Sequence, residues 1–433
     1  MKIVLIAGFS NPEIREHLQF KKDRKVFHQL IKLFGLPARV GENTDHAPWI
    51  PGIIAEVEKH PEMELHVIGP QIRLKHSVEE FKLRGVTYHF FKAEYTSLLR
   101  KLNNYKLWKQ LQVSGRYTKR LLNKINPDLV VLSGAENPAT SVCILAANEY
   151  PRLCLCQTIY NNPKRELYST PNRLIQDMEK DIFSQNSYFG VYCKMHYDLL
   201  HEMNPRASIF KFGYPSKGTL LELTPTEKEY DFVNFALQMD LRKGYHDSIK
   251  ALAIVKKKYP NVKLNLLGRA SDEQKAQLVE LIDDLNLQDN ITFTPFFEKR
   301  SDMFLHIQKS RFAVLPCKLD HTSGTMSQAM QLGLPLVVYK TTGTPAFNRK
   351  KECVLIAELE NVEQLAQHML TLMDDPERAC QLAKNAREFQ EEKIEVGRHN
   401  GERLMETFKS VFDNYRNGKP IPNELLFDPE RDD

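Results

Sequence analysis

The chain has 433 residues, of which 42% are hydrophobic and 27% charged, and its formal net charge at pH 7 is +5. This composition excludes a disordered chain, and the length exceeds what one ordinary hydrophobic core accommodates, so we expect two globular domains. No uninterrupted apolar run of about 18 residues is present, which excludes a membrane-spanning helix. The apolar start is interrupted at Asn11-Pro12, so we interpret it as a first buried strand and not as a secretion signal.

Short apolar runs alternate with amphipathic helical patterns along the chain. Such alternation places parallel strands in a sheet with helices on both faces, so we predict an α/β protein with two doubly wound, Rossmann-like domains. The strands expected in the first half are Ile3–Ala7, Leu65–Gly69, Thr87–Phe91, Leu129–Ser133, Leu153–Thr158, Phe189–Cys193 and Ile209–Gly213. Those expected in the second half are Phe232–Ala236, Lys263–Gly268, Ile291–Thr294, Phe312–Leu315, Leu336–Tyr339 and Val354–Ala357.

The alternation stops in the Pro-, Thr- and charge-rich stretch 214–230, which we interpret as a domain linker. The predicted domains are therefore 1–213 and 231–400, followed by a C-terminal helix and tail, 401–433, that we expect to pack back toward the first domain. Its last part, Gly418–Asp433, has three prolines and a charged end, and we expect it to be loosely ordered. In doubly wound sheets ligands bind at the carboxyl ends of strands, so the functional loops should face a cleft between the domains.

Charge is unevenly distributed in the first half. Eight Lys/Arg and no acidic residue lie between Tyr95 and Pro127, and Tyr105 and Trp108 are interleaved with them. Basic and aromatic residues on helix-length segments suit an anionic membrane surface, and an ordinary solvated helix face is the alternative. On the first interpretation, residues 100–124 make peripheral contact with the inner face of the membrane. No nucleic-acid-binding motif accompanies these basic residues, so we expect no nucleic-acid partner.

The seven cysteines form no CxxC pair and no Cys/His cluster with metal-ligand spacing. We therefore predict no metal site, and inert core thiols in a cytoplasmic protein.

Two turns in the second half suit a phosphate group. The first, Ser323-Gly324-Thr325, opens a short helix that Gly333 and Pro335 end, and free amide groups and the helix dipole attract anions there. Plain helix capping by Ser323 or Thr325 explains the same residues equally well.

The second turn, Arg242-Lys243-Gly244, follows the strand Phe232–Ala236 and places a lysine where it can reach a phosphate. A solvated turn lysine is the alternative. Two such turns in one domain, both after strands, favour the phosphate interpretation.

From about Tyr230 to Glu391 the chain resembles the GT-B nucleotide-sugar glycosyltransferases, particularly the large retaining group called family 4. The resemblance rests on four stretches in the family's order, which are FALQMDLRKGYHDSIKAL, VKLNLLGRASDEQ, ITFTPFF and FAVLPCKLDHTSGTMSQAMQLGLPLVV. It implies the GT-B fold and a metal-independent glycosyltransferase without a cofactor. The enzyme would move a hexose from a nucleotide-diphosphate sugar to a glycan or lipid-linked glycan, in polysaccharide or cell-surface glycan biosynthesis.

The resemblance also implies roles for individual residues. Lys243 and Asp320 would be catalytic, the lysine by balancing the charge of the departing diphosphate and the aspartate near the donor sugar. Further donor contacts would come from Gln238, Arg242, Gly268, His321, Ser323, Gly324, Thr325 and Gln328. Acceptor-side candidates are Gly8, Glu136, Asn137 and Tyr160, although Asn137-Pro138 is also a common turn pair and Glu136 a candidate capping carboxylate.

The sequence departs from the family pattern at four of these positions. Asp320 and Gln328 stand where the family has glutamates, Gln238 where it has an arginine, and Tyr160 where it often has a histidine. These departures keep open a protein that binds nucleotide or glycan without turnover. A nucleotide-sugar epimerase or an inverting transferase on the same scaffold is a further alternative, because small-residue turns such as TSGT before a helix occur there too.

Overall fold

The computed structural model describes residues 1–8, 12–19, 50–71, 74–93, 104–111, 113–168, 170–215, 218–297, 299–319 and 323–432. These residues group into two compact units. The first unit comprises Met1–Glu166, Thr170–Lys217 and Val396–Asp433, and the second comprises Leu167–Ser169 and Gly218–Glu395. Each unit contains its own largely parallel sheet with helices, which confirms the predicted α/β class with two doubly wound domains.

The sheet of the first unit has eight strands in the order β3-β4-β2-β1-β5-β6-β7-β8. Neighbouring strands are parallel except for β3 and β4, which are antiparallel. The strands are β1 (Lys2–Ile6), β2 (Glu64–Gln71), β3 (Val78–Leu83), β4 (Val86–Lys92), β5 (Leu129–Ser133), β6 (Arg152–Leu155), β7 (Tyr188–Val191) and β8 (Ser208–Lys211).

Helices cover both faces of this sheet, because alternate residues of a strand point to opposite faces. Ile3 and Leu5 of β1 enter one buried apolar cluster, whereas Val4 and Ile6 enter the other. The described helices are α1 (Pro12–Glu16), α2 (Ile50–Val57), α3 (Tyr105–Leu111), α4 (Ser114–Ile125), α5 (Pro138–Leu145), α6 (Pro163–Glu166), α7 (Arg173–Gln185) and α8 (Lys194–Met203).

The sheet of the second unit is entirely parallel, with six strands in the order β11-β10-β9-β12-β13-β14. Its strands are β9 (Tyr230–Gln238), β10 (Leu264–Arg269), β11 (Ile291–Pro295), β12 (Ser310–Leu315), β13 (Leu336–Tyr339) and β14 (Leu355–Ala357). Its helices are α9 (Tyr245–Lys256), α10 (Asp272–Asp284), α11 (Arg300–Ile307), α12 (Gly324–Gln331), α13 (Val362–Asp374) and the first part of α14 (Pro376–Asn417).

Every strand expected from the sequence is present, with ends that differ by up to three residues. The sequence prediction missed β3, whose residues alternate between exposed and partly buried. This strand has no continuous apolar run because it lies at the edge of the sheet, and β4 is its single strand neighbour.

The segment predicted to be a linker divides between the two units. Residues 218–229 group with the second unit, where the Thr224 amide donates to Gln308 Oε1 at 2.8 Å and Leu221 packs against the core. At the other end of the second unit the division falls between Glu395 and Val396, inside α14, and not after residue 400.

The expectation of a loosely ordered tail was wrong. Residues 418–432 pack on the first unit, where Leu425 and Phe427 are buried and the Phe427 amide donates to the Ile209 carbonyl at 2.8 Å. Leu426 forms an antiparallel bridge with Phe210 of β8. The apolar sequence Leu425-Leu426-Phe427 supplies the buried surface that offsets the flanking prolines and charges.

Candidate functional site

The Ser323-Gly324-Thr325 turn begins α12, with Ser323 as the N-cap residue. The Ser323 side chain does not cap the helix; its hydroxyl contacts the Thr325 hydroxyl instead. Within the described part of the chain, no group accepts a hydrogen bond from the amides of Gly324, Thr325 or Met326. Among the described residues, the turn therefore presents unpaired donors at the positive end of a helix dipole.

Gly324 is exposed, and a Cβ built on it would meet no atom of the described residues within 4 Å. Packing of the described residues therefore does not require a glycine at this position. The space over the first turn of α12 is open to a group that approaches the backbone closely.

The Arg242-Lys243-Gly244 turn follows β9 as a short 3₁₀ helix, Leu241–Lys243. Gly244 has φ of +70°, and a Cβ on it would lie 2.2 Å from the Pro316 carbonyl oxygen, so only glycine fits. Lys243 is half-buried here.

The two predicted turns follow neighbouring strands, β9 and β12, at the carboxyl edge of the second sheet. Pro316 directly follows β12, the strand that leads to α12, and it contacts Gly244 of the other turn. The Lys318 amide also donates to the Arg242 carbonyl at 2.9 Å. Both turns therefore border one edge of the sheet.

Arg242 is already engaged in an ion pair. Its guanidinium donates to the Asp240 carboxylate from both Nε and Nη2, the first bond measuring 3.2 Å. Asp240 thus offsets the positive charge of Arg242 that the sequence assigned to phosphate binding.

The remaining donor-side candidates differ in what surrounds them. Gln238 is exposed at the end of β9, and Gln328 is half-buried on α12. Gly268 is explained by packing alone, because a Cβ there would lie 2.6 Å from the Ala236 carbonyl oxygen. Asp320 and His321 lie outside the described residues.

Sequence reasoning missed a charged network at the same edge. Lys318 pairs with Asp247 at 3.0 Å and with Glu360 at 3.1 Å, and the Tyr339 hydroxyl donates to Asp247 at 3.0 Å. Burial would lower the pKa of Lys318, but the hydrogen bonds and charges of Asp247 and Glu360 outweigh it and raise the pKa. The sequence carries no signal for this network, since its members come from four different loops and elements.

The acceptor-side candidates all lie in the first unit, after the carboxyl ends of β1, β5 and β6. Gly8 lies against Asn137 and Thr140, whose atoms would be 3.2 and 3.1 Å from a Cβ on the glycine. Asn137 caps α5 by accepting from the Ala139 amide at 3.1 Å, so its side chain has a structural role.

Glu136 precedes Asn137 and places its carboxylate over Gly134. Burial, reinforced by the charge of Glu179, raises the pKa of Glu136 to about 7, although Arg165 opposes the rise. Its carboxyl group therefore exchanges a proton near neutral pH.

Tyr160 stands over Arg165, whose guanidinium lies 3.9 Å from the ring centroid. The fully buried Glu179 holds this loop by accepting from the amides of Tyr160 and Asn161 at 2.9 and 2.8 Å. Glu179 was missed, although an acidic residue on the apolar face of a helix containing Ile175, Met178 and Ile182 was a readable signal.

The membrane interpretation requires exposed aromatic and basic side chains in the segment 100–124. The described part of this segment meets that requirement only in part. Tyr105 and Trp108 are buried in the core of the first unit, and Lys109 pairs with Asp181 at 2.5 Å. Lys119 pairs with Glu149 at 3.4 Å and Lys124 with Glu80 at 3.3 Å. The aromatic side chains that were expected to face lipid thus serve packing instead.

Two broader features concern membranes and metals. No helix in the described ranges combines the length and apolar character needed to cross a bilayer. The described residues also contain no group of three or more His, Cys, Asp or Glu side chains arranged to hold a metal ion.

Comparison with known proteins finds sequence similarity in the second unit. Residues 222–389 match the family model of glycosyl transferases group 1. An uncharacterized glycosyltransferase of Haemophilus influenzae is 25% identical over 170 residues, 39% of this chain and 45% of the relative. Another, MJ1059 of Methanocaldococcus jannaschii, is 31% identical over 121 residues, 26% of this chain and 28% of the relative. The aligned region thus spans less than half the length of either relative.

Solved structures match over nearly the whole chain. Sucrose-phosphate synthase from Thermosynechococcus elongatus has a TM-score of 0.65 at 14% identity, covering 95% of this chain and 99% of that one. Anabaena Alr3699/HepE, solved with UDP and glucose, has a TM-score of 0.63 at 15% identity, covering 95% and 100%. At this identity the likeness shows the fold, which is the GT-B fold of glycosyltransferases, and the predicted resemblance to these enzymes is confirmed.

Proposed function

We propose that the protein is a glycosyltransferase that moves a sugar from a nucleotide-diphosphate sugar to a glycan or lipid-linked glycan. The observation that carries the proposal is the meeting of two turns at one sheet edge. One supplies the uncapped amides of α12, and the other supplies Lys243 beside the obligatory Gly244. The group 1 match over 222–389 and the binding of UDP-glucose by Anabaena Alr3699/HepE support this assignment.

In the proposed reaction the acceptor hydroxyl oxygen bonds to the anomeric carbon of the sugar. The bond between that carbon and the phosphate oxygen breaks, the nucleoside diphosphate keeps the electron pair, and the acceptor proton passes to it. Lys243 and the α12 amides stabilise the negative charge that develops on the diphosphate. Asp320 would lie near the donor sugar, and the reaction would retain the anomeric configuration without a metal or cofactor.

Product analysis tests the proposal. The protein is incubated with UDP-, GDP- and ADP-hexoses, with and without a glycan acceptor and with and without EDTA, and products are followed by NMR. We expect a new glycosidic bond of unchanged anomeric configuration only when acceptor is present, at a rate that EDTA leaves unaltered. An isomerised sugar from donor alone would favour the epimerase instead.

A protein without turnover is the second candidate, favoured by a specific observation. The family's arginine is Gln238 here, and Asp240 already pairs with Arg242 at the same edge. Nucleotide binding without transfer to any acceptor, unaffected by Asp320→Ala, would support this candidate.

Membrane contact through residues 100–124 is a separate part of the proposal. It rests on Lys106, Arg116 and Arg120, exposed cations that no described carboxylate pairs with. Replacing all three with glutamate should abolish sedimentation with phosphatidylserine vesicles, and the proposal fails if sedimentation is unchanged. Neutral phosphatidylcholine vesicles serve as the control, because they lack the attracting charge.

A further inference from the structure

Gln238 is beside an arginine on the neighbouring strand. Arg269, the last residue of β10, is the register partner of Gln238 in the parallel pair of β9 and β10, and the Met239 amide donates to the Arg269 carbonyl at 2.8 Å. The register shifts between Leu267 and Arg269, which brings these two residues opposite each other. Their Cα atoms are thus about 5 Å apart, the usual spacing of neighbouring strands.

Arg269 lies on the face of the sheet that α12 covers. Leu267, two residues earlier on the same strand, is in the buried cluster that also contains Met326 and Met330 of α12. The Arg269 guanidinium lies over the Phe296 ring, 5.2 Å from its centroid, and Phe296 packs against this cluster. The aromatic contact holds the guanidinium at the carboxyl edge, on the face that α12 covers and next to the end of β11.

The charge of Arg269 has no counter-ion in the described ranges, although the side chain is half-buried. At the same edge Arg242 is paired with Asp240, and Lys318 with Asp247 and Glu360. A partly desolvated guanidinium without a carboxylate favours a bound anion, and its planar donors match two phosphate oxygens.

We propose that Arg269 binds the diphosphate of the nucleotide and supplies the positive charge that is missing at Gln238. The cation thus lies at the end of β10 and not at the end of β9, one strand away on the same edge of the sheet. The proposal rests on the proposed function, because it assumes a nucleoside diphosphate between Lys243 and the first turn of α12. It adds a third cationic or amide donor to that site.

Calorimetric titration tests the proposal. The full chain is titrated with whichever of UDP, GDP and ADP binds most tightly and with the matching nucleoside. We expect Arg269→Ala to weaken diphosphate binding about 10- to 100-fold, as loss of a charge-assisted contact does, and to leave nucleoside binding unchanged. The diphosphate affinity of Arg269→Lys should lie between those of the unaltered protein and Arg269→Ala, because lysine keeps the charge and lacks the planar guanidinium.

Two further variants make the test specific. Arg311→Ala is the matched control, since Arg311 also lies over a phenylalanine of this sheet but pairs with Asp231 near the amino end of β12. Its diphosphate affinity should equal that of the unaltered protein. Adding Gln238→Arg to Arg269→Ala should restore affinity to within about fivefold, since the charge returns to the adjacent strand.

The possible results separate this proposal from the proposed function. If Arg269→Ala leaves the diphosphate affinity unchanged while Lys243→Ala clearly lowers it, the proposed role of Arg269 is wrong and the proposed function is unaffected. An equal loss of nucleoside and diphosphate binding also overturns it, because it indicates a contact with the base. If the unaltered protein binds none of the three diphosphates at millimolar concentration, the proposed function fails and the role of Arg269 fails with it.

Discussion

The carboxyl edges of the two sheets carry opposite kinds of polar groups. The edge of the second unit offers Lys243, Arg269 and the uncapped amides of α12, which together favour an anion. The edge of the first unit offers Glu136 and Glu179, carboxyl groups whose pKa burial raises. Two sheets of the same doubly wound kind thus present different polar groups, because the loops after their strands differ in sequence.

The largest expected effect tests the anion-binding edge directly. Gly324→Asp places a carboxylate at the first turn of α12, where it should repel a phosphate and weaken nucleotide binding at least about 100-fold. Folding should be unaffected, because the added side chain meets open space and acids stabilise helix N-termini. Gly324→Ala, which adds bulk without charge, should lose about 10-fold. Calorimetry gives the affinities, and equal binding by Gly324→Asp and the unaltered protein would refute the anion site.

A second prediction concerns the close approach of the two turns. Gly244→Ala should lower the free energy of unfolding by about 3 kcal/mol, because it combines a strained positive φ with a clash against the Pro316 carbonyl. Gly418→Ala is the control: its φ is also positive, at +66°, but no atom lies within 4 Å of the added Cβ. It should cost only about 1 kcal/mol. If urea denaturation shows an equal loss of unfolding free energy in Gly244→Ala and Gly418→Ala, the close contact between Gly244 and Pro316 is contradicted.

The buried network at the same edge gives a third, smaller effect. Lys318→Met should destabilise the protein by about 2 kcal/mol, because it leaves the carboxylate of Asp247 buried without its cation. Lys340→Met breaks the exposed pair with Glu358 at this edge and should cost no more than about 0.5 kcal/mol. The ranking is checked by thermal unfolding, and similar melting temperatures for the two variants would count against it.

The smallest effect tests the carboxyl edge of the first unit. The pKa of Glu136 rises from 4.5 to about 7 on folding, so its contribution is fully present below pH 4.5 and is lost as the pH rises through 7. Glu136→Gln removes this dependence. Relative to the variant, the unaltered protein should lose about 1 kcal/mol between pH 5 and pH 8, less than the full shift implies because Glu136 as a whole is only partly buried. Parallel stability profiles would show that Glu136 titrates normally.

The strands of both sheets could be predicted because buried parallel strands are short apolar runs between turn signals. Leu129–Ser133 and Leu336–Tyr339 have the predicted bounds. The edge strand Val78–Leu83 and the packed tail could not be read so easily. Their few apolar residues gain their burial from distant partners such as β4 and Ile209.

Residues of the candidate site could be predicted only where they belong to a short turn motif next to a predicted strand. Lys243 and Gly244 follow β9, and Ser323–Thr325 lies between β12 and α12, so both turns could be located from the sequence. Arg269 was not identified because its position beside Gln238 depends on a register shift that one strand's sequence does not encode. The ion pair of Arg242 with Asp240 could not be predicted either, because it depends on how the two side chains are placed.

The most direct test of the central claim is calorimetric titration of the protein with UDP, GDP and ADP, repeated with Lys243→Ala. We expect one diphosphate to bind clearly better than the others, and Lys243→Ala to weaken that binding by about 100-fold, because a lysine next to the departing phosphate carries much of the attraction. Binding that Lys243→Ala leaves unchanged, or no binding of any diphosphate at millimolar concentration, would contradict a nucleotide site at the carboxyl edge of the second sheet.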